Sequence, residues 1–265
     1  MTGFHDPTER RLAWRTSPEI EAIVGSDALV IQPIASVEQH GPHLPCYTDS
    51  LVADGLVARA ISVTPVDVNV WSLPVIAYGK SNEHLGFPGT IALSAETLIA
   101  VCRDVGRSVA RSGFRKLAFV NGHGGQPHLL EMVARDIREE TGLMVFPLFP
   151  YRLGVPEGVV SSPEEEALGI HGGELETSLV LALHPESVHM DRAESGGDRV
   201  RKLYGDLEYL TLEGALPTAW LTRDLSENGV IGDPTNASAE RGERAVAHLA
   251  QGLSRVFAEI CEFEL

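Results

Sequence analysis

Three side chains able to bind a metal lie close together just after a strongly apolar run. Glu38 and His40 are two residues apart, so in an extended chain they project to the same side, and Asp49 follows at the start of a predicted helix. Two carboxylates and an imidazole that converge at a strand end form a mixed oxygen and nitrogen ligand set, which suits Zn²⁺, Mn²⁺ or Fe²⁺. The alternative is that Glu38 and His40 are exposed loop residues and that Asp49 only caps its helix.

A further candidate ligand, His123, lies in a glycine-rich turn between a predicted strand and a predicted helix. The turn reads NGHGGQ over residues 121–126, and its glycines allow the backbone to approach a ligand closely. The turn is not a P-loop, because no Gly-Lys-Ser/Thr follows, and its spacing differs from that of dinucleotide-binding loops. Because His123 follows a predicted parallel strand and lies next to three glycines, we interpret it as a site residue rather than as a structural loop histidine.

The third segment reads HGGELETS over residues 171–178. His171 precedes Glu174 and Glu176, which fall in the first turn of a predicted apolar helix, where the helix dipole favours acids. A helix this apolar is expected to be buried, so its first-turn carboxylates need a cation or hydrogen-bond donors. Either glutamate could be the ligand and the other the dipole partner, and the residues alone leave both assignments open.

Together the segments supply five candidate ligands: Glu38, His40, Asp49, His123 and one of the two glutamates. Five ligands exceed the four that one tetrahedral zinc ion takes. They fit two metal ions that share a bridging carboxylate, for which Asp49 is the natural candidate, with water between the ions. Such a centre would produce a metal-bridging hydroxide near neutral pH and polarise a carbonyl group at the same time.

The elements that must position these residues alternate between strands and helices. Apolar runs predict strands at residues 28–34, 68–76, 116–120 and 144–149. Periodic patterns and capping residues predict helices at about residues 49–61, 94–112, 127–142, 175–183 and 238–257. This alternation predicts an α/β fold, with residues 1–265 as a single domain in which helices flank a mainly parallel sheet.

Composition excludes several classes of function. With 21 Lys+Arg and 37 Asp+Glu, the chain has a formal net charge of −16, whereas nucleic acids and anionic membrane surfaces require a basic surface. No apolar run reaches the roughly 20 residues of a membrane span, and the first residues lack the apolar core of a secretory signal. Three widely spaced cysteines indicate reduced thiols. We therefore expect a cytoplasmic protein that binds neither nucleic acid nor a membrane.

Several motifs resemble those of the creatininase (creatinine amidohydrolase) family. They are VEQHGPHLPCYTD (37–49), NEHLGFPGT (82–90), NGHGGQ (121–126), HGGELETS (171–178) and NGVIGDP (228–234). This resemblance, over roughly residues 28–250, implies an α/β fold, two divalent metal ions (Zn, Mn or Fe) and an amidohydrolase that cleaves a non-peptide C–N bond in an amide, cyclic amide or formamide. It also implies a small-molecule substrate and a homo-oligomer, namely a hexamer.

The resemblance also implies roles for particular residues. The implied metal ligands are Glu38, Asp49 and His123 for one ion, and His40, Asp49 and Glu174 for the other. His171 matches a catalytic histidine that shuttles a proton. His84 and Tyr47 are candidate substrate contacts.

The chain departs from the creatinine hydrolases of this family at two positions. Those enzymes resemble NGHYEN, with a metal-binding glutamate where this chain has Gly125, and they carry a glutamate where this chain has Ile170. Residues 150–170 also lack the tryptophans of their substrate loop, and these differences point away from creatinine itself. One alternative is a hydrolase of a C–C or lactone bond in a cyclic ketone or polyol, like a 3-dehydro-scyllo-inosose hydrolase. Another is a metal-dependent binding protein without catalysis.

Overall fold

Four parallel strands form one sheet in the computed structural model, which describes residues 10–25, 27–214 and 216–265. The strands are β1 (Leu29–Ile34), β2 (Val70–Ser72), β3 (Lys116–Asn121) and β4 (Met144–Leu148), in the spatial order β2-β1-β3-β4. The predicted α/β fold with a parallel sheet is confirmed. The start of the chain, interpreted above as lacking a secretory signal, lies outside the described residues up to residue 9.

Strand β2 is much shorter than the sequence predicts, whereas the other strands differ by at most one residue at an end. β2 ends at Ser72, whereas the apolar pattern extends to residue 76. Pro74 has no N–H to donate and therefore interrupts a regular ladder. The chain still runs beside β1, because the N–H groups of Leu73 and Ile76 donate to Ile31 and Pro33 at 2.8 and 2.9 Å.

The helices cover both faces of the sheet. In chain order the α-helices of the described residues are α1 (Ser17–Ile23), α2 (Thr48–Val63), α3 (Ala95–Arg111), α4 (Pro127–Thr141), α5 (Pro163–Leu168), α6 (Glu174–Leu183), α7 (Asp198–Tyr204), α8 (Thr222–Leu225) and α9 (Ala239–Glu262). Helices α2, α6 and α9 pack together on one face, and α3 and α4 pack on the other. Among the described residues, none of the helices combines the length and the hydrophobicity that a membrane span requires.

Two apolar cores follow from the alternation of side chains along the strands. In β1, Leu29 and Ile31 belong to the core under α2, α6 and α9, whereas Val30 and Ile34 belong to the core under α3 and α4. Successive strand residues point to opposite faces, so a strand buried on both faces is apolar at most positions, and the buried amide of Gln32 in β1 donates to the Pro33 and Pro74 carbonyls. This explains why the sequence shows continuous apolar runs.

The sheet brings the ends of β1 and β3 to one edge, since Ile34 is paired with Asn121. The turn after β3 then packs against the first turn of α2. A Cβ at Gly122 would lie 2.7 Å from the Asp49 carbonyl oxygen and 2.9 Å from the Ala53 Cβ, so only glycine allows this approach. The packing places His123 beside Asp49, although the two residues are far apart in the chain.

Candidate metal centre

Glu38, Asp49 and His123 form a buried group at the edge of the sheet where β1 and β3 end. The His123 Nδ1 atom lies 3.2 Å from Glu38 Oε2 and 3.1 Å from Asp49 Oδ2. Glu38 follows β1, Asp49 lies in the first turn of α2, and His123 follows β3. The structure therefore brings together the three residues that the family resemblance implies for one metal ion.

A second group shares Asp49 and contains His40 and Glu176. The His40 Nε2 atom lies 3.0 Å from Asp49 Oδ1 and 3.8 Å from Glu176 Oε2. The two carboxylate oxygens of Asp49 thus face different histidines, Oδ1 towards His40 and Oδ2 towards His123. This is the arrangement that a bridging carboxylate requires.

Glu174 lies outside both groups, and its role as a metal ligand stays a prediction. Its buried carboxylate forms an ion pair with Arg241 of α9 and accepts a hydrogen bond from the Ser161 N–H at 2.8 Å. Residues two apart in an α-helix point about 200° apart, so only one of Glu174 and Glu176 can face His40. The structure turns Glu176 towards the histidines and Glu174 towards α9.

The residues of both groups fit divalent metal ions. Three sets of ligand atoms, each within 4.8 Å of one another, are Glu38–Asp49–His123, His40–Asp49–Glu176 and Glu38–His40–His171. Glu38 Oε2 and His40 Nε2 are buried, and although charged groups of the cluster lie within 3.2 Å, neither atom forms a well-directed hydrogen bond, which is costly in a folded protein. Carboxylate oxygens with imidazole nitrogens suit Zn²⁺, Mn²⁺ or Fe²⁺, and a bound cation would satisfy both atoms.

The buried carboxylates of the cluster raise the pKa values of the histidines beside them. Burial alone would lower the pKa of His40, but the charges of Asp49, Glu176 and Glu38 raise this pKa to about 10. Burial would also lower the pKa of His123, but the Glu38 and Asp49 carboxylates raise this pKa well above its usual value. Without a metal ion, protons on the two imidazoles therefore compensate the buried carboxylates.

Gln39 fixes the orientation of His84 within this cluster. The Gln39 Oε1 atom accepts a hydrogen bond from the Gly41 N–H at 2.9 Å, so its amide nitrogen is the atom that lies 3.1 Å from His84 Nδ1. Because the amide nitrogen only donates, His84 Nδ1 accepts, and its Nε2–H faces Glu38 Oε1 at 3.3 Å. His84 is buried and placed to hold Glu38, so its contact with a substrate stays a prediction.

His171 presents an acceptor nitrogen to the cluster. Its Nε2 atom donates to the Gln39 backbone carbonyl at 2.6 Å, so the unprotonated Nδ1 faces Glu38 Oε1 at 3.7 Å. Burial and the nearby His40 and His84 hold the pKa of His171 well below its usual value. A neutral imidazole whose acceptor atom faces the cluster is able to take up a proton there.

Tyr47 lies at the margin of the site rather than in the cluster. Its side chain is 44% exposed, and besides burial the groups that raise its pKa are Asp54 and Tyr78. Its role as a substrate contact stays a prediction.

The sequence interpretation missed two neighbours of the cluster. They are Glu83, whose Oε1 lies 3.3 Å from His123 Nε2, and Trp220, whose ring is 6.3 Å from that of His84. Glu83 directly precedes His84 in the NEHLGFPGT motif, and this adjacency was the available signal. For Trp220, in the region between α7 and α8, the sequence carries no comparable signal.

Comparison with known proteins identifies the family. The family model "Creatininase: Creatinine amidohydrolase" matches residues 13–257. The chain belongs to the creatininase family. It is 32% identical over 245 residues to the mycofactocin precursor peptide peptidase of Mycolicibacterium smegmatis, with 91% of this chain and 87% of the relative covered. It is 26% identical over 269 residues to the creatinine amidohydrolase of Pseudomonas putida, with 94% and 95% covered. The family and these relatives support a hydrolase.

Solved creatininases share the fold. A tryptophan-to-phenylalanine creatininase variant has a TM-score of 0.75 at 25% identity, with 94% of this chain and 97% of the other covered. A zinc–zinc form and a manganese form have TM-scores of 0.73 and 0.74 at 24% and 23% identity, each with 95% of this chain and 98% of the other covered. The single-domain architecture predicted from the sequence is therefore that of the creatininases.

Proposed function

We propose that this creatininase-family chain hydrolyses an amide C–N bond with the help of two divalent metal ions bound at the cluster. The observation that carries the proposal is that the two carboxylate oxygens of Asp49 face different histidines, His40 and His123. Glu38 Oε2 and His40 Nε2 are buried beside them without a well-directed hydrogen bond. The sequence predicts a non-peptide amide. The relatives include both a precursor-peptide peptidase and a creatinine amidohydrolase, and the higher identity of 32% against 26% favours a peptide amide as the substrate.

Each ion has three protein ligands in this proposal. The ligands are Glu38, Asp49 and His123 for one ion, and His40, Asp49 and Glu176 for the other. Bound divalent ions supply Lewis acidity, which polarises a carbonyl group and lowers the pKa of water to near neutrality. Zinc and manganese are the ions to test first, because creatininases with this fold exist in zinc and manganese forms.

His171 is the proposed proton carrier. The Gln39 carbonyl keeps the proton on His171 Nε2, so Nδ1 is the atom that accepts a proton from the attacking water. The same Nδ1–H then donates to the departing nitrogen, which leaves as a neutral amine. His84 contributes by holding Glu38 Oε1 through its Nε2–H.

A hydrolysis assay on the metal-loaded chain tests the proposal. The substrates are short peptides, creatinine, a lactam and a formamide, and the products are identified by mass spectrometry. We expect amide cleavage, with a loss of about 10²- to 10⁴-fold in kcat for His171→Asn and an unchanged metal content. His128→Asn is the matched control, because that side chain is 89% exposed and lies away from the cluster.

Two outcomes would contradict the proposal and favour the alternatives. Tight binding of two ions without hydrolysis of any of these amides would favour a metal-dependent binding protein. Cleavage of a cyclic ketone or a lactone in preference to every amide would favour a hydrolase of C–C or ester bonds on the same centre.

A further inference from the structure

We infer that Glu83 is a positioning residue for His123, and that residue 125 must be glycine so that the Glu83 carboxylate can reach the imidazole. The inference rests on the proposed function, because it treats His123 as a metal ligand. His123 has one ring nitrogen on each side. Nδ1 faces Glu38 and Asp49, whereas Nε2 lies 3.1 Å from the Lys80 carbonyl oxygen and 3.3 Å from Glu83 Oε1.

These contacts decide which nitrogen carries the proton when a metal ion is bound. A backbone carbonyl only accepts hydrogen bonds, so His123 Nε2 must donate to Lys80 and Glu83, which leaves the lone pair of Nδ1 for the metal. A carboxylate beside the outer N–H of a ligating histidine fixes the ring and makes the other nitrogen more basic. Among the residues that the structure describes, no lysine or arginine forms an ion pair with Glu83, so its charge acts on His123.

The space occupied by the Glu83 carboxylate exists because residue 125 has no side chain. A Cβ at Gly125 would overlap Glu83 Oε1 and would lie 2.5 Å from His123 Nε2. The backbone conformation is not the reason, since Gly125 is not among the glycines with positive φ. Gly124 provides the contrast, because a Cβ there would meet no atom within 4 Å. The two glycines are adjacent and exposed, but a Cβ would meet Glu83 and His123 only at residue 125.

Calorimetric titration of the full chain with Mn²⁺ and, separately, with Zn²⁺ tests the inference. The variants are Glu83→Ala, Glu83→Gln, Gly125→Ala, Gly124→Ala and the double variant of Glu83→Ala with Gly125→Ala. We expect Glu83→Ala and Gly125→Ala each to weaken binding at one of the two sites by about 10- to 100-fold. Glu83→Gln should recover most of this loss, because its amide oxygen still accepts from Nε2, and Gly124→Ala should bind like the wild type.

The double variant of Glu83→Ala with Gly125→Ala tests whether the two changes weaken metal binding through the same contact or independently. Its loss should be smaller than the product of the two single losses, since part of the loss in Gly125→Ala is the carboxylate contact that Glu83→Ala also removes, while the contact of the new Cβ with His123 remains. The melting temperature of each metal-free variant, measured in parallel, should stay close to that of the wild type. If Gly125→Ala does not fold, the comparison of Glu83→Ala with Glu83→Gln still decides whether the Glu83 carboxylate positions His123.

Three results would overturn the inference. They are wild-type affinity in Glu83→Ala, equal weakening by Gly124→Ala and Gly125→Ala, and a double loss equal to the product of the single ones. Failure of the proposed function would look different, because the wild-type chain itself would then bind no metal ion or would hydrolyse no amide.

Discussion

The neighbour that each polar atom contacts determines what a residue of this site can do. Asp49 directs one oxygen to His40 and the other to His123. Glu174 and Glu176, two residues apart, have different surroundings, because Glu174 faces Arg241 and Glu176 faces His40. Residue types and spacing alone could not distinguish these two glutamates, since both fall in the first turn of a buried helix, and only the family resemblance implied Glu174 as the ligand. The distinction depends on how that helix is rotated against its neighbours.

Substitution of the two glutamates tests this division. Glu176→Gln should lose one metal ion per chain, because a neutral amide is a poor ligand, while the free energy of unfolding changes little. Glu174→Gln should keep both ions but lose about 2 kcal/mol of stability, because the Arg241 ion pair is broken. Elemental analysis and urea unfolding measure the two effects. Metal loss in Glu174→Gln together with full metal content in Glu176→Gln would reverse the assignment.

Metal binding should release protons and strengthen as the pH rises. The pKa of His40 without metal is about 10, above the usual 6.5, so its imidazole carries a proton near neutral pH that a metal ion must displace. Affinity should therefore increase with pH until about pH 10, where His40 loses its proton without the metal ion. Calorimetry in two buffers with different ionisation enthalpies counts the released protons. Affinity that does not vary with pH would argue against His40 as a ligand.

At the scale of elements, helix α9 sets the position of α6 and therefore of Glu176. The two helices approach closely where Gly242 of α9 meets Ser178 of α6, and a Cβ at Gly242 would overlap the Ser178 carbonyl oxygen. Glycine at this position is thus required by contact between backbones rather than by φ.

Gly242→Ala should destabilise the protein, although alanine is the better helix former. Within a free helix the change is worth about 0.5–1 kcal/mol in favour of alanine, but overpacking of a buried contact costs about 1–3 kcal/mol. Displacement of α6 should also weaken metal binding through Glu176. Gly252→Ala, in the same helix, is the matched control, because its Cβ would meet only the end of the Leu153 side chain. Equal urea midpoints for the two variants would contradict this account.

The order of strands and helices could be predicted because their patterns are local. The apolar run of β1 and the helical pattern of α9 carry their own periodicity, and loops at strand ends pointed to Glu38 and His123. Contacts between distant segments could not be predicted in this way. The approach of Glu83 to Gly125 depends on how the loop around residue 83 folds back over the turn after β3, and no local pattern records it.

For the whole molecule, the net charge of −16 includes carboxylates that are buried in the cluster. Divalent ions would compensate these charges from within. The homo-oligomer expected from the family resemblance stays a prediction, which sedimentation velocity would test.

Removal of metal by a chelator should lower the melting temperature. An ion that binds only the folded state stabilises it by mass action, by about 2.7 kcal/mol at a free concentration of 100 times its Kd. Differential scanning calorimetry at increasing Mn²⁺ or Zn²⁺ concentration measures the effect, and added Mg²⁺ serves as a comparison with an ion that prefers oxygen ligands. A melting temperature independent of both chelator and metal would show that the cluster is stable without a cation.

The most direct test of the account compares metal content and amide hydrolysis in the same preparations of the wild type and of Asp49→Ala. We expect two divalent ions per wild-type chain and hydrolysis that a chelator abolishes and added metal restores. Since Asp49 is shared by both ligand groups, Asp49→Ala should lose both ions and the activity, while circular dichroism shows that the fold is retained. An Asp49→Ala protein that still binds two ions and still hydrolyses the amide would contradict it.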